Sequence, residues 1–142
     1  MRLLSRQSWN PLALLATART LVKRPGLLVP HVALRNVDAL DFDALRAAGV
    51  ASIIFDKDNT LTAPYANEVY PRLAGALRSC VDTFGADHVA VLSNSAGTPD
   101  DPGAAAADAL EAALGVHVLR RRHKKPRGFE SVRQHFQCDG TA

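Results

Sequence analysis

The sequence predicts an α/β protein built on a parallel sheet. Three short apolar segments recur along the chain, and segments of helical length separate them. Each apolar segment ends in a polar cluster, and these clusters are Asp56-Lys57-Asp58-Asn59-Thr60, Ser93-Asn94-Ser95-Ala96-Gly97 and the run from Arg120 to Pro126. Because the carboxyl ends of parallel strands meet at one edge of a sheet, we expect the three clusters to form one ligand site.

The chain has the length of a single domain, 142 residues, and its charge is unevenly distributed. Residues 1–37 contain six bases and no acids, residues 38–119 contain four bases and twelve acids, and residues 120–142 contain seven bases and two acids. Basic ends around an acidic middle predict a polyanionic partner. Cys80 and Cys138 lack the spacing of a metal site or a redox motif, so we expect both to be reduced thiols.

A basic amphipathic segment, residues 1–37, precedes the predicted sheet. Asn10 can cap a helix that has Pro11 at its first position, and Leu27–Val32 follows as an extended connector. The helix carries an apolar stripe at Leu12, Leu14, Leu15, Ala18, Leu21 and Val22. Bases interrupt the stripe, so a membrane-spanning helix is not predicted. With Trp9 before it, the pattern is typical of a helix at a membrane surface, and an acid-free, arginine-rich opening is also typical of a transit peptide. A helix that packs on the core with its basic face outward is the alternative.

The first predicted strand covers Val50–Phe55, after a short helix over Asp38–Ala48. Its nearly continuous apolar character predicts burial on both faces. Asp56 and Asp58 follow the strand and can both face the crevice beyond its end, where one carboxylate could attack a phosphorus atom and the other could transfer protons. Mg²⁺ suits such a pair, because it binds a few carboxylate oxygens together with water and phosphate. A solvated turn is the alternative.

Two further strands are predicted over His88–Leu92 and Val116–Leu119, after helices over Glu68–Phe84 and from Asp100 to Leu114. The turn Ser93–Gly97 offers a hydroxyl and backbone N–H groups to a phosphate, although an ordinary turn can have the same composition. A lysine in the basic run after the third strand could neutralise a phosphate and the aspartates beside it. A basic run is also typical of a solvated face or of a nucleic-acid contact.

Taken together, the sequences DKDNT, SNSAG and KKP resemble the first three motifs of the haloacid dehalogenase superfamily of phosphatases. The longer blocks LLVPHV, FDKDNTLTAPY, VLSNSAG and GVHVLRRRHKKPRG are similar to the mitochondrial and plant phosphatidylglycerophosphate phosphatase family. The resemblance extends from about Trp9 to Cys138. It implies a three-layer, Rossmann-like haloacid dehalogenase fold without a cap domain. It also implies Mg²⁺-dependent hydrolysis of phosphatidylglycerophosphate to phosphatidylglycerol.

The resemblance implies a role for each matching residue. Asp56 would be the nucleophile that forms an aspartyl-phosphate, and Asp58 would protonate the leaving alcohol and then activate water. Ser93 and the backbone of Asn94 would bind phosphoryl oxygens, and Lys125 would neutralise the phosphate. Mg²⁺ would bind Asp56, the backbone carbonyl of Asp58 and the phosphate.

The family's fourth motif, a Gly-Asp pair followed by Thr-Asp, has no match in this sequence. Asp139-Gly140-Thr141 does not follow an apolar strand, because the preceding residues are expected to end a helix that begins near Gly128. We therefore expect residues 38–142 to form a phosphatase domain that lacks its last strand or strands and one metal-binding acid, as in a truncated product of an active enzyme. A catalytically inactive, membrane-associated interaction domain is the alternative. Lys124 is the alternative to Lys125 as the third-motif lysine.

The expected partners follow from the resemblance and from the charge distribution. The substrate would be an anionic phospholipid, and the protein would lie peripherally on the matrix side of the mitochondrial inner membrane or, alternatively, in a plastid. Only a loop and one helix are predicted between the first two clusters, so an open site could admit a headgroup still embedded in a bilayer. Nucleic acid is not expected as a partner, because the basic run lacks interleaved aromatic residues. The sequence does not indicate an oligomeric state.

Overall fold

The computed structural model describes residues 11–64, 66–123, 125 and 129–137 of the chain. The chain divides into two compact units, residues 1–33 and residues 34–142. Among the described residues, the first unit contains an α-helix and a 3₁₀ turn, and the second contains the sheet with its surrounding helices.

The first unit contains helix α1, Pro11–Lys23, which confirms the predicted start of the amphipathic helix at a proline. The proposed cap and the tryptophan before it lie outside the described residues. Several large apolar side chains of this unit are exposed, namely Leu14, Leu15, Leu21, Val22, Leu27 and Val29. The predicted extended connector is wrong at its start, because Pro25–Leu28 forms a 3₁₀ turn in which the Leu27 N–H donates to the Arg24 carbonyl at 3.0 Å. Within the described ranges, no helix has the length and apolarity needed to cross a bilayer.

The second unit is organised on a parallel three-stranded sheet in the order β1-β2-β3. The strands are β1, Ile53–Asp56, β2, Val89–Leu92, and β3, His117–Val118. β1 pairs with β2 from Ile53 opposite Val89 to Asp56 opposite Leu92. The predicted strands and their parallel arrangement are therefore confirmed, although each strand begins later than the apolar pattern suggested.

The described residues of the second unit form four α-helices beside the sheet: α2, Phe42–Ala47, α3, Ala74–Phe84, α4, Ala105–Leu114, and α5, Phe129–Phe136. The helix predicted over residues 38–48 begins only at Phe42, because the Asp41 carboxylate accepts the Ala44 N–H at 2.8 Å and thereby caps the helix. The helix predicted from residue 68 begins only at Ala74, after a 3₁₀ turn at Pro71–Leu73. In both places local turn chemistry shortens the helix that the apolar spacing predicts.

Helices lie on both faces of the sheet. Successive side chains of a strand point to opposite faces, and Val89 and Val91 belong to the main core with residues of α2, α3 and α4. Ala90 and Leu92 point the other way, to a smaller cluster that contains Val132 and Phe136 of α5. The sheet is therefore the middle layer of this unit.

The prediction that the first strand is buried on both faces is wrong. Phe55 is buried in the main core, but Ile54 on the opposite face is 38% exposed. β1 is an outer strand in the order of the described sheet, and α5 packs on side chains of β2 and of the chain after β3. β2, which lies between the other two strands, is buried along its whole length.

Candidate functional site

The polar clusters after the three strands meet at one edge of the sheet. The pairing of Asp56 with Leu92 places Asp56 beside the beginning of the second cluster. The N–H of Leu119 donates to the Val91 carbonyl at 3.0 Å, so the chain after β3 leaves the sheet at the same level. The parallel pairing thus brings together residues that lie far apart in the sequence.

Lys125 joins the first and third clusters. Its Nζ lies 2.5 Å from Asp56 Oδ1 and 3.2 Å from the Leu92 carbonyl oxygen. Its backbone N–H donates to Asn94 Oδ1 at 3.0 Å. The Asp56 side chain is 52% exposed, so this ion pair forms in a place that solvent and a ligand can reach. An acid, an amide and a cation that originate from three strand ends therefore share one accessible site.

The loop that contains Asp58 is folded around Lys57. The Lys57 carbonyl accepts the N–H groups of three residues in the loop, those of Thr60, Leu61 and Thr62. The Lys57 side chain is only 3% exposed, and its Nζ lies 2.9 Å from Asp58 Oδ1. The ion pair offsets part of the desolvation cost of burying the ammonium group. Asp58 is thus held against a buried lysine next to Asp56.

The contribution of Lys57 to the site was not predicted from the sequence. A signal was present, because Lys57 follows the apolar Phe55 by two residues, and in an extended chain residues two apart lie on the same face, here the one towards the protein interior. A buried ammonium group needs a counter-charge, and the neighbouring acids are the nearest source. The loop fold that turns Asp58 back onto it could not be read from this spacing.

The Ser93 hydroxyl lies inside the turn of the second cluster. Its Oγ accepts the N–H groups of Ser95 at 3.1 Å and of Ala96 at 3.2 Å, and the side chain is completely buried. Ser93 therefore stabilises the turn in this structure, while Asn94 is exposed beside Lys125. The phosphate contacts predicted for Ser93 and Asn94 stay predictions.

Gly97 allows the second cluster to pack directly on the chain after β3. Its φ is +68°, and a Cβ atom placed on it would lie 2.7 Å from the Leu119 carbonyl oxygen. Its carbonyl accepts the N–H of Arg121 at 2.6 Å. A residue without a side chain is required here by both the backbone conformation and the close approach.

The Asp101 carboxylate connects the same turn to helix α4 by hydrogen bonds. Its carboxylate accepts the N–H groups of Gly97, Ala106 and Ala107, each at 2.9 Å. The hydrogen bonds from the Gly97 and Ala106 backbones lower the pKa of the Asp101 carboxyl. One ionised side chain therefore connects the loop of the site with the beginning of a core helix.

Arg121 is the most deeply buried arginine among the described residues, with 6% of its surface exposed. Its Nη2 donates to the Ser93 carbonyl and, at 3.4 Å, to Asn94 Oδ1. Burial lowers the pKa of the guanidinium, and the charge of Asp56 opposes that effect. The sequence interpretation treated Arg121 only as a member of a basic run, because the pattern of the run does not show which of its side chains points inward.

The Arg120 side chain contacts acids of helix α4 rather than the end of β2. It contacts Glu111 and lies 2.5 Å from Asp108 Oδ1. The Arg120 hydrogen bond lowers the pKa of Glu111, and the same contact raises the pKa of Arg120. Two arginines of the basic run, Arg120 and Arg121, therefore make contacts within the fold. Lys124 lies outside the described residues.

Asp56 and Asp58 are the acids of the site that could hold a metal ion. Within the part of the chain that the structure describes, no group of three or more His, Cys, Asp or Glu side chains is arranged to do so. Mg²⁺ does not require such a cage, because it commonly keeps several waters and takes one or two carboxylates with a substrate phosphate. Asp139 lies outside the described residues.

Comparison with known proteins provides independent information about this chain. The family model described as mitochondrial PGP phosphatase matches residues 12–142. A phosphatidylglycerophosphate phosphatase of Arabidopsis thaliana, named as chloroplastic/mitochondrial, is 41% identical over 95% of this chain and 39% of its own length. A chloroplastic phosphatidylglycerophosphate phosphatase of Chlamydomonas reinhardtii is 48% identical over 80% of this chain and 42% of its own length. The mitochondrial phosphatidylglycerophosphatase of Saccharomyces cerevisiae is 25% identical over 83% of this chain and 60% of its own length.

The chain spans less than two thirds of the length of each of these relatives. No solved structure matches the chain. The similarity covers all three polar clusters, since the matched residues run from 12 to 142.

Proposed function

Because the chain belongs to the mitochondrial PGP phosphatase family, we propose that it hydrolyses the phosphomonoester of phosphatidylglycerophosphate and releases phosphatidylglycerol. The observation that carries the proposal is the contact of 2.5 Å between Lys125 Nζ and Asp56 Oδ1 at the carboxyl end of a parallel sheet. A carboxylate beside a fixed cation, open to solvent, has the components needed to attack a phosphoryl group and to stabilise its charge.

The first chemical step would use Asp56 as the nucleophile. One of its carboxylate oxygens attacks the phosphorus atom, and the bond from phosphorus to the glycerol oxygen breaks. Asp58 enters this step protonated and gives its proton to the leaving oxygen, so that the lipid leaves as an alcohol. Lys125 lies where it can neutralise charge on the phosphoryl oxygens during this transfer.

The second step would release phosphate from Asp56. Asp58 accepts a proton from a water molecule, the water oxygen attacks phosphorus, and the bond from phosphorus to the Asp56 oxygen breaks. The products are inorganic phosphate and the original carboxylate. Asp58 would be held for both steps by the buried ammonium group of Lys57, 2.9 Å from its Oδ1.

Mg²⁺ is the cofactor that we propose for this site. The carboxylate of Asp56 and the backbone carbonyl of Asp58 would hold it, because the Asp58 carboxylate is paired with Lys57. One carboxylate and one carbonyl fit the small number of protein ligands that this ion takes beside water and phosphate. When bound, the ion supplies positive charge that neutralises phosphoryl oxygens.

We further propose that the second unit has the haloacid dehalogenase fold without a cap domain. Between β1 and β2, the described residues form a loop, with a bridge between Thr62 and Val69, and then helix α3. These elements are too small to enclose a substrate. An uncovered site suits a phosphate group that extends from the surface of a bilayer.

Helix α1 would hold the protein at an anionic membrane in a mitochondrion or plastid, on the matrix side of the inner membrane in the mitochondrial case. On a helical projection Leu14, Ala18, Leu21 and Val22 share one face, while Arg19 and Lys23 lie towards the other. The large apolar members of this face are exposed. Such a helix can bury its apolar side at the headgroup boundary, with each nearby base adding roughly 1 kcal/mol of attraction to anionic lipid.

Release of phosphate from phosphatidylglycerophosphate in detergent micelles tests the proposed activity. We expect the purified protein to release phosphate with Mg²⁺, and we expect Asp56→Asn or removal of divalent cations with a chelator to abolish the release. Asp82→Asn is the matched control, because it makes the same change at an exposed position of α3. A folded wild-type protein without activity, or an active Asp56→Asn variant, would overturn the proposal.

Sedimentation with lipid vesicles tests the proposed membrane contact separately. We expect binding to vesicles that contain phosphatidylglycerol, weaker binding at high salt, and a reduced affinity of the Arg19→Gln/Lys23→Gln variant. Equal binding of this variant and the wild type would exclude an electrostatic role for α1.

A further inference from the structure

We propose that Arg121 is a positioning residue for the reaction proposed above: its buried guanidinium orients the Asn94 side chain, which in turn holds Lys125 against Asp56. The inference rests on the proposed function for its catalytic consequence. The contacts from Arg121 to Asp56 through Asn94 and Lys125 form its structural basis. None of the family motifs identified in the sequence assigns a role to this arginine.

The chain of contacts has Asn94 at its centre. Asn94 Oδ1 accepts both the Arg121 Nη2 group at 3.4 Å and the Lys125 backbone N–H at 3.0 Å. Two donors on one oxygen determine which amide atom faces them. The Asn94 nitrogen is therefore held on the opposite side of the side chain, where its N–H groups can serve as donors for an anion.

The second contact of Arg121 holds the end of β2. Its Nη2 donates to the Ser93 carbonyl, directly after Leu92, and the Leu92 carbonyl accepts Lys125 Nζ at 3.2 Å. The Lys125 side chain is thus held at Nζ by Leu92 and Asp56, while its backbone is held by Asn94. Movement of the β2 end would therefore displace both the Nζ atom and the backbone N–H of Lys125.

An arginine suits this position better than a lysine. The guanidinium is planar and can donate to a backbone carbonyl and a side-chain amide from one rigid group, whereas an ammonium group is a single point of charge on a flexible stem. Arg121 is almost completely buried, so keeping it charged has a desolvation cost that a surface arginine does not have. The charge of Asp56 opposes this cost and connects the arginine electrostatically with the proposed nucleophile.

Steady-state kinetics of Arg121→Gln and Arg121→Lys test the inference. Arg122→Gln is the matched control, since Arg122 is the exposed neighbour in the same run. We expect Arg121→Gln to lower kcat by about 10- to 100-fold with a change in KM of less than about 3-fold, because misplaced catalytic groups reduce the rate more than ground-state binding. We expect Arg121→Lys to recover part of kcat and Arg122→Gln to keep the wild-type rate.

A purely structural role for Arg121 predicts a different result. The melting temperature would fall, while kcat per folded molecule would be unchanged and Arg121→Lys would restore stability without a separate effect on the rate. Unchanged kcat per folded Arg121→Gln molecule, or an equal loss in Arg122→Gln, would overturn the proposal.

Hydrogen exchange at the Lys125 amide separates this inference from the proposed activity. We expect exchange to be at least about 10-fold faster in Arg121→Gln than in the wild type and unchanged in Arg122→Gln, because Asn94 Oδ1 loses its orienting donor. If the wild type does not hydrolyse the lipid but the exchange rates differ in this way, the proposed function fails and the positioning contact stands. If the exchange rates are equal, the positioning contact fails whatever the activity.

Discussion

Replacement of Gly97 by alanine tests the packing of the candidate site directly. Gly97 has a φ of +68°, and an added Cβ would lie 2.7 Å from the Leu119 carbonyl oxygen and 3.3 Å from the Arg120 Cα. These neighbours are backbone atoms, so they cannot move aside by a change of side-chain rotamer. The variant must either separate the turn of the second cluster from the chain after β3 or strain both.

The expected cost has two parts. The left-handed backbone conformation costs an alanine roughly 1–2 kcal/mol, and the reduced freedom of the unfolded chain returns about 0.4–1 kcal/mol. Overpacking against a fixed neighbour adds about 1–3 kcal/mol. We therefore expect Gly97→Ala to lower the free energy of unfolding by about 2–4 kcal/mol, which is a decrease in Tm of roughly 8–16 °C for a unit of this size.

Gly115→Ala is the matched control for this prediction. Gly115 has nearly the same φ, +69°, and an added Cβ would meet nothing within 4 Å. We expect this variant to lose only about 1 kcal/mol, measured by chemical denaturation of both variants and the wild type. If Gly97→Ala costs no more than Gly115→Ala, the close approach of the two loops is not a determinant of stability.

Three further predictions concern the surrounding fold. Backbone hydrogen bonds from Gly97 and Ala106 lower the pKa of Asp101 below its ordinary value of 3.8, so its stabilising contribution is complete above that pH and is lost as the pH falls through the pKa of the folded state. Acid denaturation should show that Asp101→Asn has a shallower loss of stability than the wild type below about pH 4, and parallel curves would contradict this. Leu110→Ala should lower the free energy of unfolding by about 2–5 kcal/mol in urea denaturation, because Leu110 is completely buried, and a cost below 1 kcal/mol would contradict its place in the core. Burial raises the pKa of the Cys80 thiol to about 11, so in a Cys138→Ser background we expect labelling by a thiol reagent at pH 8 only as fast as the protein unfolds. Rapid labelling of the native protein would show that Cys80 is accessible.

The family of the chain was recognisable from short motifs, and the comparisons confirm it. Lys125 illustrates why the prediction could extend to a site. Three polar clusters after three apolar strands must converge if the strands are parallel, whatever the lengths of the helices between them. The contact between Lys125 and Asp56 connects residues that are 69 positions apart in the sequence.

The sequence pattern did not predict the boundaries of the helices and strands, the exposure of β1 or the packing of α5. The apolar spacing predicted longer helices than the structure has, because capping by Asp41 and the turn at Pro71–Leu73 compete locally with helix formation. The predicted strands were also longer than the observed ones. Burial of β1 on both faces was wrong for Ile54, since exposure depends on which helix covers each strand. A helix that begins near Gly128 was predicted, and α5 confirms it, but the packing of α5 against β2 was not predicted.

The sequence by itself determined the α/β class, the three parallel strands and the fact that the polar clusters after them lie at one edge of the sheet. These properties follow from strand periodicity and from the common direction of parallel strands. Only the tertiary structure decided which groups the cations of the basic run contact: Arg121 the end of β2, Arg120 the acids Glu111 and Asp108, and Lys125 the carboxylate of Asp56. Adjacent arginines and lysines cannot be distinguished from one another by sequence periodicity. They differ in the hydrogen-bond acceptors that the folded chain places near each of them.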